Sequence, residues 1–308
     1  MGIGELKGYL LAALAAAAYG TNPVFAVPLY EQGMNPASVL LFRYILSLPL
    51  LAMIMMVRRT GFVLRKGEIG PVVVLGLLMA LSSLMLFQSY EYMNVGVAST
   101  LLFVYPVLVA VLMVFFFHEK FRATVGICLA VMSVGLILLM KPQQGEAPSM
   151  LGCLLVMFSA LSYALYIVMV NVNKSIRCIP TTRLLFYVLL FGSALFVVQI
   201  ATGSSLTLPR HTWGWGNLVA LAVIPTIISL GCTTRAIQLI GSTPTAILGA
   251  LEPVSAVVLG IIVLGQTLTT RELLGGLLIL VATTLVVAGK PVDRAILHVR
   301  KMFPRKLS

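Results

Sequence analysis

The chain has 308 residues, of which 60% are hydrophobic and 10% are charged. Soluble domains average roughly 45–50% apolar and 25% charged residues, so this composition excludes an ordinary soluble domain and indicates a protein that crosses a membrane several times. The net charge of +12 is not arranged in basic patches interleaved with aromatic residues, so we expect no nucleic-acid partner.

Ten apolar segments follow one another along the chain, each long enough for one membrane crossing. They span residues 6–29, 36–57, 70–92, 97–117, 122–140, 149–172, 181–202, 217–239, 243–264 and 271–289. The sequence therefore predicts an all-α membrane protein with ten transmembrane helices.

Basic residues indicate which side of the membrane each loop faces. With the N-terminus in the cytoplasm, sixteen of the 21 Lys and Arg residues fall on the inner side, three on the outer side and two, Arg43 and Arg235, within the membrane. This asymmetry follows the positive-inside rule for ten helices. We therefore expect a multi-pass protein of a bacterial inner membrane, surrounded by the lipid bilayer, with both termini in the cytoplasm.

The two halves of the chain resemble each other. Residues 8–19 match residues 152–163 at a constant offset of 144, and Tyr105-Pro106 matches Glu252-Pro253 at an offset of 147. Each half holds five helices, an odd number, so the second half enters the membrane from the opposite side. The sequence therefore predicts two inverted five-helix repeats around a central cavity.

These repeats divide the chain into four parts. We expect the first five-helix repeat at residues 1–141, a linker at 142–148, the second five-helix repeat at 149–290 and a basic cytoplasmic tail at 291–308. In the tail, apolar residues recur at helical spacing among basic ones, which favours an amphipathic helix along the anionic inner leaflet. A solvated tail without such a helix is the alternative.

The cysteine, histidine and nucleotide-binding patterns indicate no cofactor. The four cysteines are scattered singly, which gives neither a disulfide framework nor a zinc spacing. His118 and His298 fall on the inner side and His211 on the outer side, so the three cannot share one metal. No P-loop occurs, so we exclude ATP hydrolysis by this chain. We expect no metal, no cofactor and no enzymatic activity.

Several motifs carry a family resemblance. Arg43 lies in the second helix, within Leu41-Phe42-Arg43-Tyr44, and each half has a proline, Pro106 or Pro253, followed by an apolar helix and a short polar turn. With ten helices in two halves, this pattern resembles the EamA-type transporters of the drug/metabolite transporter superfamily over nearly the whole chain. The resemblance implies a metabolite exporter whose cavity is lined by helices 1–4 and 6–9, with helices 5 and 10 at the periphery. Gln266 stands where the family often has a carboxylate, so no role is assigned to it.

Glu252 is the first candidate for a functional side chain. It lies near the middle of a predicted membrane helix, where a charged group costs at least a few kcal/mol unless it is paired, neutralised or wetted. Pro253 removes an amide donor beside this carboxyl, which is tolerated where protein or a water-filled cavity surrounds it. We expect Glu252 to bind substrate and to couple transport to protons. A structural carboxyl that accepts hydrogen bonds from the helix ends freed by Pro253 is the alternative.

Arg43 and Gln88 are polar residues in apolar helices. The fixed charge and planar guanidinium of Arg43 suit a substrate carboxylate or phosphate, and an ion pair with Glu252 or Glu91 is the alternative. Gln88 occupies the repeat position of Arg235, which favours an interior location for both, although Arg235 and Glu91 are close enough to helix ends to reach water. We expect Arg43 and Gln88 to contribute to substrate binding.

Polar and aromatic residues mark the first helix of each half. Tyr19 and Tyr163 are repeat equivalents, and Asn22 and Tyr166 lie about one turn further along the same faces. Tyr105 holds the position that the carboxylate occupies in the second half. Such residues would form a wall that packs against apolar solutes and forms hydrogen bonds with their polar ends, while bonding between helices is the alternative. We expect all five to bind substrate.

Together, these features predict secondary transport. We expect a protein that exports small organic metabolites, amino acids or similar solutes, by alternating access, driven by the substrate gradient or by proton exchange through Glu252. Broad-specificity drug efflux and metabolite import are alternatives within this class, and an intramembrane enzyme and a non-transporting sensor are alternatives outside it. We expect a monomer or a homodimer.

Overall fold

The computed structural model describes residues 3–89, 92–93, 95–119, 122–139, 149–203, 205–264 and 269–287. Every regular element within these ranges is helical. The predicted linker at 142–148, the predicted tail at 291–308 and Glu91 lie outside the described residues.

The helices follow one another with short connections. Those of the first half are α1 (Ile3–Gly20), α2 (Asn22–Glu31), α3 (Pro36–Val57), α4 (Lys66–Ser89), α5 (Val95–Leu102), α6 (Tyr105–Phe117) and α7 (Ala123–Leu139). Those of the second half are α8 (Met150–Val172), α9 (Lys174–Cys178), α10 (Thr181–Thr202), α11 (Thr212–Ala222), α12 (Ser229–Ile240), α13 (Ser242–Leu248), α14 (Leu251–Leu264) and α15 (Thr270–Val287). A π-helical turn, Val223–Ile228, joins α11 to α12.

The prediction of an all-α membrane protein is confirmed. Nine helical spans in the described ranges are long and apolar enough to cross a membrane, and the shorter apolar helix Ala123–Leu138 supplies the tenth predicted crossing. α3 and α10 begin and end at the predicted residues. The start of α3 follows from its cap, because the Asn35 side chain accepts a hydrogen bond from the Ser38 backbone N–H at 2.8 Å and Pro36 occupies the first turn.

Four of the predicted spans consist of two shorter helices each. The interruptions lie at Thr21, at residues 103–104, at residues 223–228 and at residues 249–250. A proline lies in or just after each of them, namely Pro23, Pro106, Pro225 and Pro253. Proline has no amide N–H and its ring clashes with the preceding turn, so it interrupts the ladder of backbone hydrogen bonds. The spans predicted at 6–29, 97–117, 217–239 and 243–264 are therefore broken helices.

The contacts between helices occur in pairs that the repeat relates to each other. α4 packs on α8 as α12 packs on α1, and α6 packs on α8 as α14 packs on α1. Likewise, the contact of α3 with α11 corresponds to the contact of α10 with α4. The repeat also exchanges α3 with α10 and α7 with α15, and the two helices of each of these pairs contact each other. This arrangement is the one expected of two five-helix repeats with opposite topology that meet at a central interface.

α7 and α15 pack closely against each other. A Cβ added to Gly135 would lie 2.9 Å from the backbone oxygen of Gly275 and 2.8 Å from the Ile279 side chain, so the backbones meet where residues are small. Neither helix contributes a described residue to the central cavity. Their position agrees with the peripheral place that the resemblance implied.

The crossing of α4 and α10 depends on the absence of a side chain at Gly76. A Cβ there would lie 2.8 Å from the backbone oxygen of Val188 and 3.1 Å from the backbone nitrogen of Gly192. Gly76→Ala should lower the melting temperature of the detergent-purified protein, because overpacking costs about 1–3 kcal/mol.

Gly70→Ala in the same helix is the matched control. Nothing lies within 4 Å of a Cβ added at Gly70, and alanine favours the helix over glycine, so this variant should melt at or above the wild-type temperature. Equal melting temperatures for the two variants would contradict the packing described.

Candidate functional site

A cavity lies between the two halves, where both repeats contribute side chains. Its lining comes from α1, α6, α8, α12, α13, α14 and the connection between the last two. The lining residues are Ala12, Ala15, Ala16, Tyr19, Tyr105, Tyr163, Ile167, Ser229, Thr233, Thr245, Gly249 and Glu252. Three alanines from α1 keep that helix thin, so it approaches its neighbours closely.

The cavity is small in this conformation. Its volume is about 30 Å³, which holds about two water molecules at ~10–15 Å³ each. Pockets that enclose a small organic ligand measure roughly 300–1,000 Å³. The cavity therefore has room for water or for one end of a solute, and it is too small for a whole small organic molecule.

Two pairs of repeat-equivalent residues meet in this cavity. Tyr19 and Tyr163 are one pair, and Tyr105 and Glu252 are the other. The structure thus brings together four of the residues that the sequence selected, at the point where the two halves contact each other. A lining made of equivalent positions is what an internal two-fold axis through the cavity produces.

Glu252 lies in the first turn of α14, just after the interruption at residues 249–250. The N-terminal end of a helix carries a partial positive charge, which stabilises a carboxylate there. No other described residue forms a hydrogen bond or an ion pair with the Glu252 side chain. The alternative expectation, that helix ends freed by Pro253 donate to this carboxyl, therefore has no such contact to support it, and the carboxyl faces the cavity.

The end of α1 packs closely behind Glu252. A Cβ added to Gly20 would lie 2.8 Å from the Glu252 backbone oxygen and 2.8 Å from the Ser255 Cβ. This contact holds Tyr19 and Glu252 on adjacent walls of the cavity. Any motion of α14 relative to α1 therefore changes the cavity at the carboxylate.

Tyrosine rings form the wall contributed by α6 and α8. The ring centroids of Tyr105 and Tyr163 are 4.8 Å apart in a T-shaped arrangement. The Tyr105 hydroxyl donates to the Ala246 backbone oxygen at 3.3 Å. It lies against Gly249, where a Cβ would collide with it. The broken helix of the second half thus accepts a side chain from the broken helix of the first.

Arg43 does not line the cavity and instead lies against the Tyr19 ring of α1. Its Nε donates to the Thr226 Oγ1 at 2.5 Å and its Nη2 to the Pro225 backbone oxygen at 3.0 Å, both in the π-helical turn. The guanidinium carbon lies 5.3 Å from the centroid of the Tyr19 ring. Among the described residues, Arg43 makes no direct salt bridge with Glu252, so a direct pairing of these two side chains is not observed, although the charge of Arg43 acts on this carboxyl. Glu91, the other possible partner, lies outside the described residues.

The remaining sequence candidates do not reach the cavity in this conformation. Tyr166 is fully buried, with its ring stacked on Tyr163 at 6.2 Å between centroids, and its hydroxyl has no hydrogen-bond partner among the described residues. Asn22 begins α2 beyond the interruption at Thr21, so the face of α1 does not continue to it. Gln88 is half-buried near the end of α4.

Arg235, the repeat equivalent of Gln88, is exposed and donates to the Gln238 Oε1 at 2.9 Å. An interior location for this side chain is therefore not observed. The exposed position fits the expectation that Arg235 reaches water near the end of its helix.

Three hydroxyl residues of the lining were missed by the sequence reasoning. Ser229 and Thr233 are spaced by four on α12 and therefore share a face, and Thr245 lies one turn before Gly249. Two sequence patterns could have identified these residues. Ser229 and Thr233 lie four residues apart, and Thr245, Gly249 and Pro253 follow one another at intervals of four. Within the described ranges, no three His, Cys, Asp or Glu side chains converge where a metal ion could bind.

Comparison with known proteins agrees with this architecture. The EamA-like transporter family matches the chain twice, at residues 6–141 and 150–288. An uncharacterized transporter of Archaeoglobus fulgidus is 28% identical over 187 residues, which cover 61% of this chain and 65% of that protein. The chain thus spans slightly less than two thirds of that relative. The Bacillus subtilis uncharacterized transporter YcbK is 23% identical over 87% of this chain and 88% of its own length.

The fold also occurs in a solved crystal structure. That structure superposes with a TM-score of 0.79, covers 94% of this chain and 98% of its own, and is 16% identical in sequence. At this identity, the likeness concerns the fold alone. The two family matches coincide with the two halves that share the cavity, and together they cover nearly the whole chain. The protein is a member of the EamA-like transporter family.

Proposed function

We propose that this protein is a secondary transporter that exports small organic metabolites, amino acids or similar solutes, by alternating access. The observation that carries the proposal is the cavity between the two repeats, which is lined by repeat-equivalent residues of both. A site at the interface of inverted repeats can be exposed to either side of the membrane when one repeat moves against the other. Export is the direction that the family resemblance implies.

The size of the cavity supports a cycle with an occluded state. At about 30 Å³, it does not admit a metabolite. Helices α1, α6, α8, α12 and α14 must separate on one side to load the site and on the other to release the solute. The spans that contain α1, α6, α12 and α14 are interrupted, and these interruptions provide places where the backbone can bend without breaking a continuous ladder of hydrogen bonds.

The proposed setting is a bacterial inner membrane with both termini in the cytoplasm. Support comes from the excess of Lys and Arg on the sides that this topology assigns to the cytoplasm. Glu252 falls near the middle of the predicted crossing at residues 243–264, so we infer that the cavity lies far from both aqueous phases. Its polar groups are therefore shielded from bulk water, which strengthens their interaction with a bound solute.

Glu252 is the residue that we propose couples transport to protons. The ionisable groups that face it are Tyr19 from α1, Tyr105 from α6 and Tyr163 from α8, and the charge of Arg43 on α3 also acts on it. A carboxyl can bind either a proton or a polar group of a solute, so proton binding and solute binding can compete at this side chain. Such competition is the basis of exchange between a solute and a proton.

Reconstitution tests the transport function. Proteoliposomes that contain the purified protein should release preloaded amino acids or related solutes faster than protein-free liposomes loaded in the same way. No ATP should be needed, because the chain has no nucleotide-binding motif. Release of radiolabelled solutes into the outer medium is the measurement. The transport proposal is wrong if no solute in a panel of amino acids, nucleosides, amines and sugar phosphates crosses the membrane faster than in protein-free liposomes.

Glu252→Gln tests the proton-coupling proposal. A pH-sensitive dye trapped in the wild-type proteoliposomes should report proton movement when a transported solute is added, and the signal should disappear in the variant because an amide does not exchange a proton. Solute movement should then no longer respond to a pH gradient. Proton movement that persists at the wild-type rate in Glu252→Gln would remove this role.

The contact between Tyr105 and Gly249 gives a test of the cavity itself. Gly249→Ala should reduce transport, because the new Cβ collides with the Tyr105 hydroxyl and displaces it from the Ala246 oxygen. The double variant Gly249→Ala with Tyr105→Phe lacks the hydroxyl that collides with the new Cβ. Its melting temperature and transport rate should therefore exceed those of Gly249→Ala alone, because the effects of substitutions at two contacting residues are not additive.

Gly276→Ala on α15 is the control, because nothing lies within 4 Å of its Cβ. It should transport as the wild type does. A Gly249→Ala protein as active as Gly276→Ala would show that this wall of the cavity has no part in transport.

A further inference from the structure

We propose that the cavity recognises a positively charged amine, so that organic amines are preferred over the amino acids and carboxylic acids of the same shape. This inference rests on the proposed function, because it assigns a substrate class to the same cavity. It narrows that function, since the sequence and the family leave the charge of the solute open. Three independent features of the lining carry it.

The first feature is charge. Among the described residues that line the cavity, Glu252 is the only charged one. Its carboxyl forms no ion pair or hydrogen bond with another described residue, so the negative charge that it carries when ionised is available to a solute. Arg43, the nearest guanidinium to this wall, donates to Thr226 and Pro225 and is separated from the cavity by the Tyr19 ring. An anionic group in the cavity would meet a carboxylate and no lining cation.

The second feature is the direction of the hydroxyl groups. The Ser229 Oγ donates its hydrogen to the Ala15 oxygen at 2.9 Å, and the Thr245 Oγ1 donates to the Gly241 oxygen at 2.7 Å. The Tyr105 hydroxyl donates to the Ala246 oxygen. With these hydrogens committed to the backbone, the three groups offer oxygen lone pairs to a solute. An ammonium group has N–H donors and no acceptor, so it matches this lining.

The third feature is the aromatic wall. Tyr19, Tyr105 and Tyr163 each contribute a ring to a cavity that also holds a carboxylate. The face of a tyrosine ring attracts a cation within about 6 Å of its centroid. Tyr19 already makes this contact with the Arg43 guanidinium, at 5.3 Å. Several rings around one acidic group form the type of cage that binds ammonium ligands in proteins.

The cavity volume agrees with a head-group site. At about 30 Å³, it accommodates an ammonium group, which is similar in size to a water molecule, while the remainder of the solute extends between the helices as they separate. A carboxylate attached to the same carbon would lie close to Glu252. The expected order of transport is therefore amine first, amino acid second and carboxylic acid last.

Matched solutes test this order without any mutation. Phenethylamine, phenylalanine and 3-phenylpropionate share one side chain and differ in their charged groups, and isoamylamine, leucine and 4-methylpentanoate form an aliphatic set. Efflux of each radiolabelled solute from proteoliposomes of the wild-type protein should be at least about tenfold faster for the amine than for the acid, the ratio expected when an ion pair and a cation–π contact are both lost.

Glu252→Gln should abolish this preference, whereas Glu119→Gln should keep it. Glu119 follows α6 outside the cavity, where its Oε2 lies 3.4 Å from the Thr243 Oγ1, so its neutralisation leaves the lining unchanged. The same two variants should also differ in thermal shift, with phenethylamine raising the melting temperature of Glu119→Gln and leaving that of Glu252→Gln unaltered.

The outcomes separate the two proposals. If amino acids or acids move as fast as the amines, or if Glu252→Gln retains the amine preference, the substrate class is wrong and transport stands. If acids move and amines do not, the inference is likewise overturned. If no solute of either set or of the wider panel moves, the transport function itself fails and the inference with it.

Discussion

The cost of placing a carboxylate within a bilayer governs this structure. A charged carboxyl at the centre of a membrane helix costs at least about 2.5–3.5 kcal/mol unless its surroundings are polar or wet. The protein meets this constraint by turning Glu252 away from lipid, toward a water-sized cavity, at the positive end of α14. The field of Arg43 reaches the same carboxylate from behind the Tyr19 ring. The carboxylate therefore lies in a polar site at the interface of the two halves.

The same constraint explains where the helices are interrupted. In lipid, every backbone N–H and C=O needs a partner within the protein, so irregular backbone is confined to places that are buried or that line a cavity. Two of the four interruptions lie beside hydrogen bonds at the site. Tyr105 donates to Ala246 beside the break in the ninth span, and Arg43 donates to Pro225 in the π-helical turn of the eighth. At both of these breaks, a backbone carbonyl of the second half thus accepts a hydrogen bond from a side chain of the first half.

Much of the fold and part of the site could be predicted from the sequence. Apolar length and the distribution of basic residues predicted the ten crossings, and the internal repeat related Tyr19 to Tyr163 and Tyr105 to Glu252, which do meet. A repeat carries this information because equivalent positions must lie symmetrically about one axis. The rest depended on helical phase, which the sequence pattern did not reveal. Asn22 lies beyond an interruption, so its spacing from Tyr19 did not place it on the cavity.

The π-helical turn also lies next to residues that the sequence reasoning did not select. Ser229 and Thr233 follow it on α12 and line the cavity. Arg43 was expected to find a carboxylate, yet its partners are a hydroxyl and a carbonyl made available by that turn.

The paired contacts between the repeats also bear on the resting state of the molecule. If the two repeats were identical, exchanging their conformations would give a second arrangement of equal free energy that faces the other aqueous phase. The bias between these arrangements must then come from positions where the halves differ, as at Tyr105 and Glu252. About 1.4 kcal/mol of such a difference changes the ratio of the two populations tenfold. The aqueous phase that the cavity faces at rest is thus decided by the side chains in which the two halves differ.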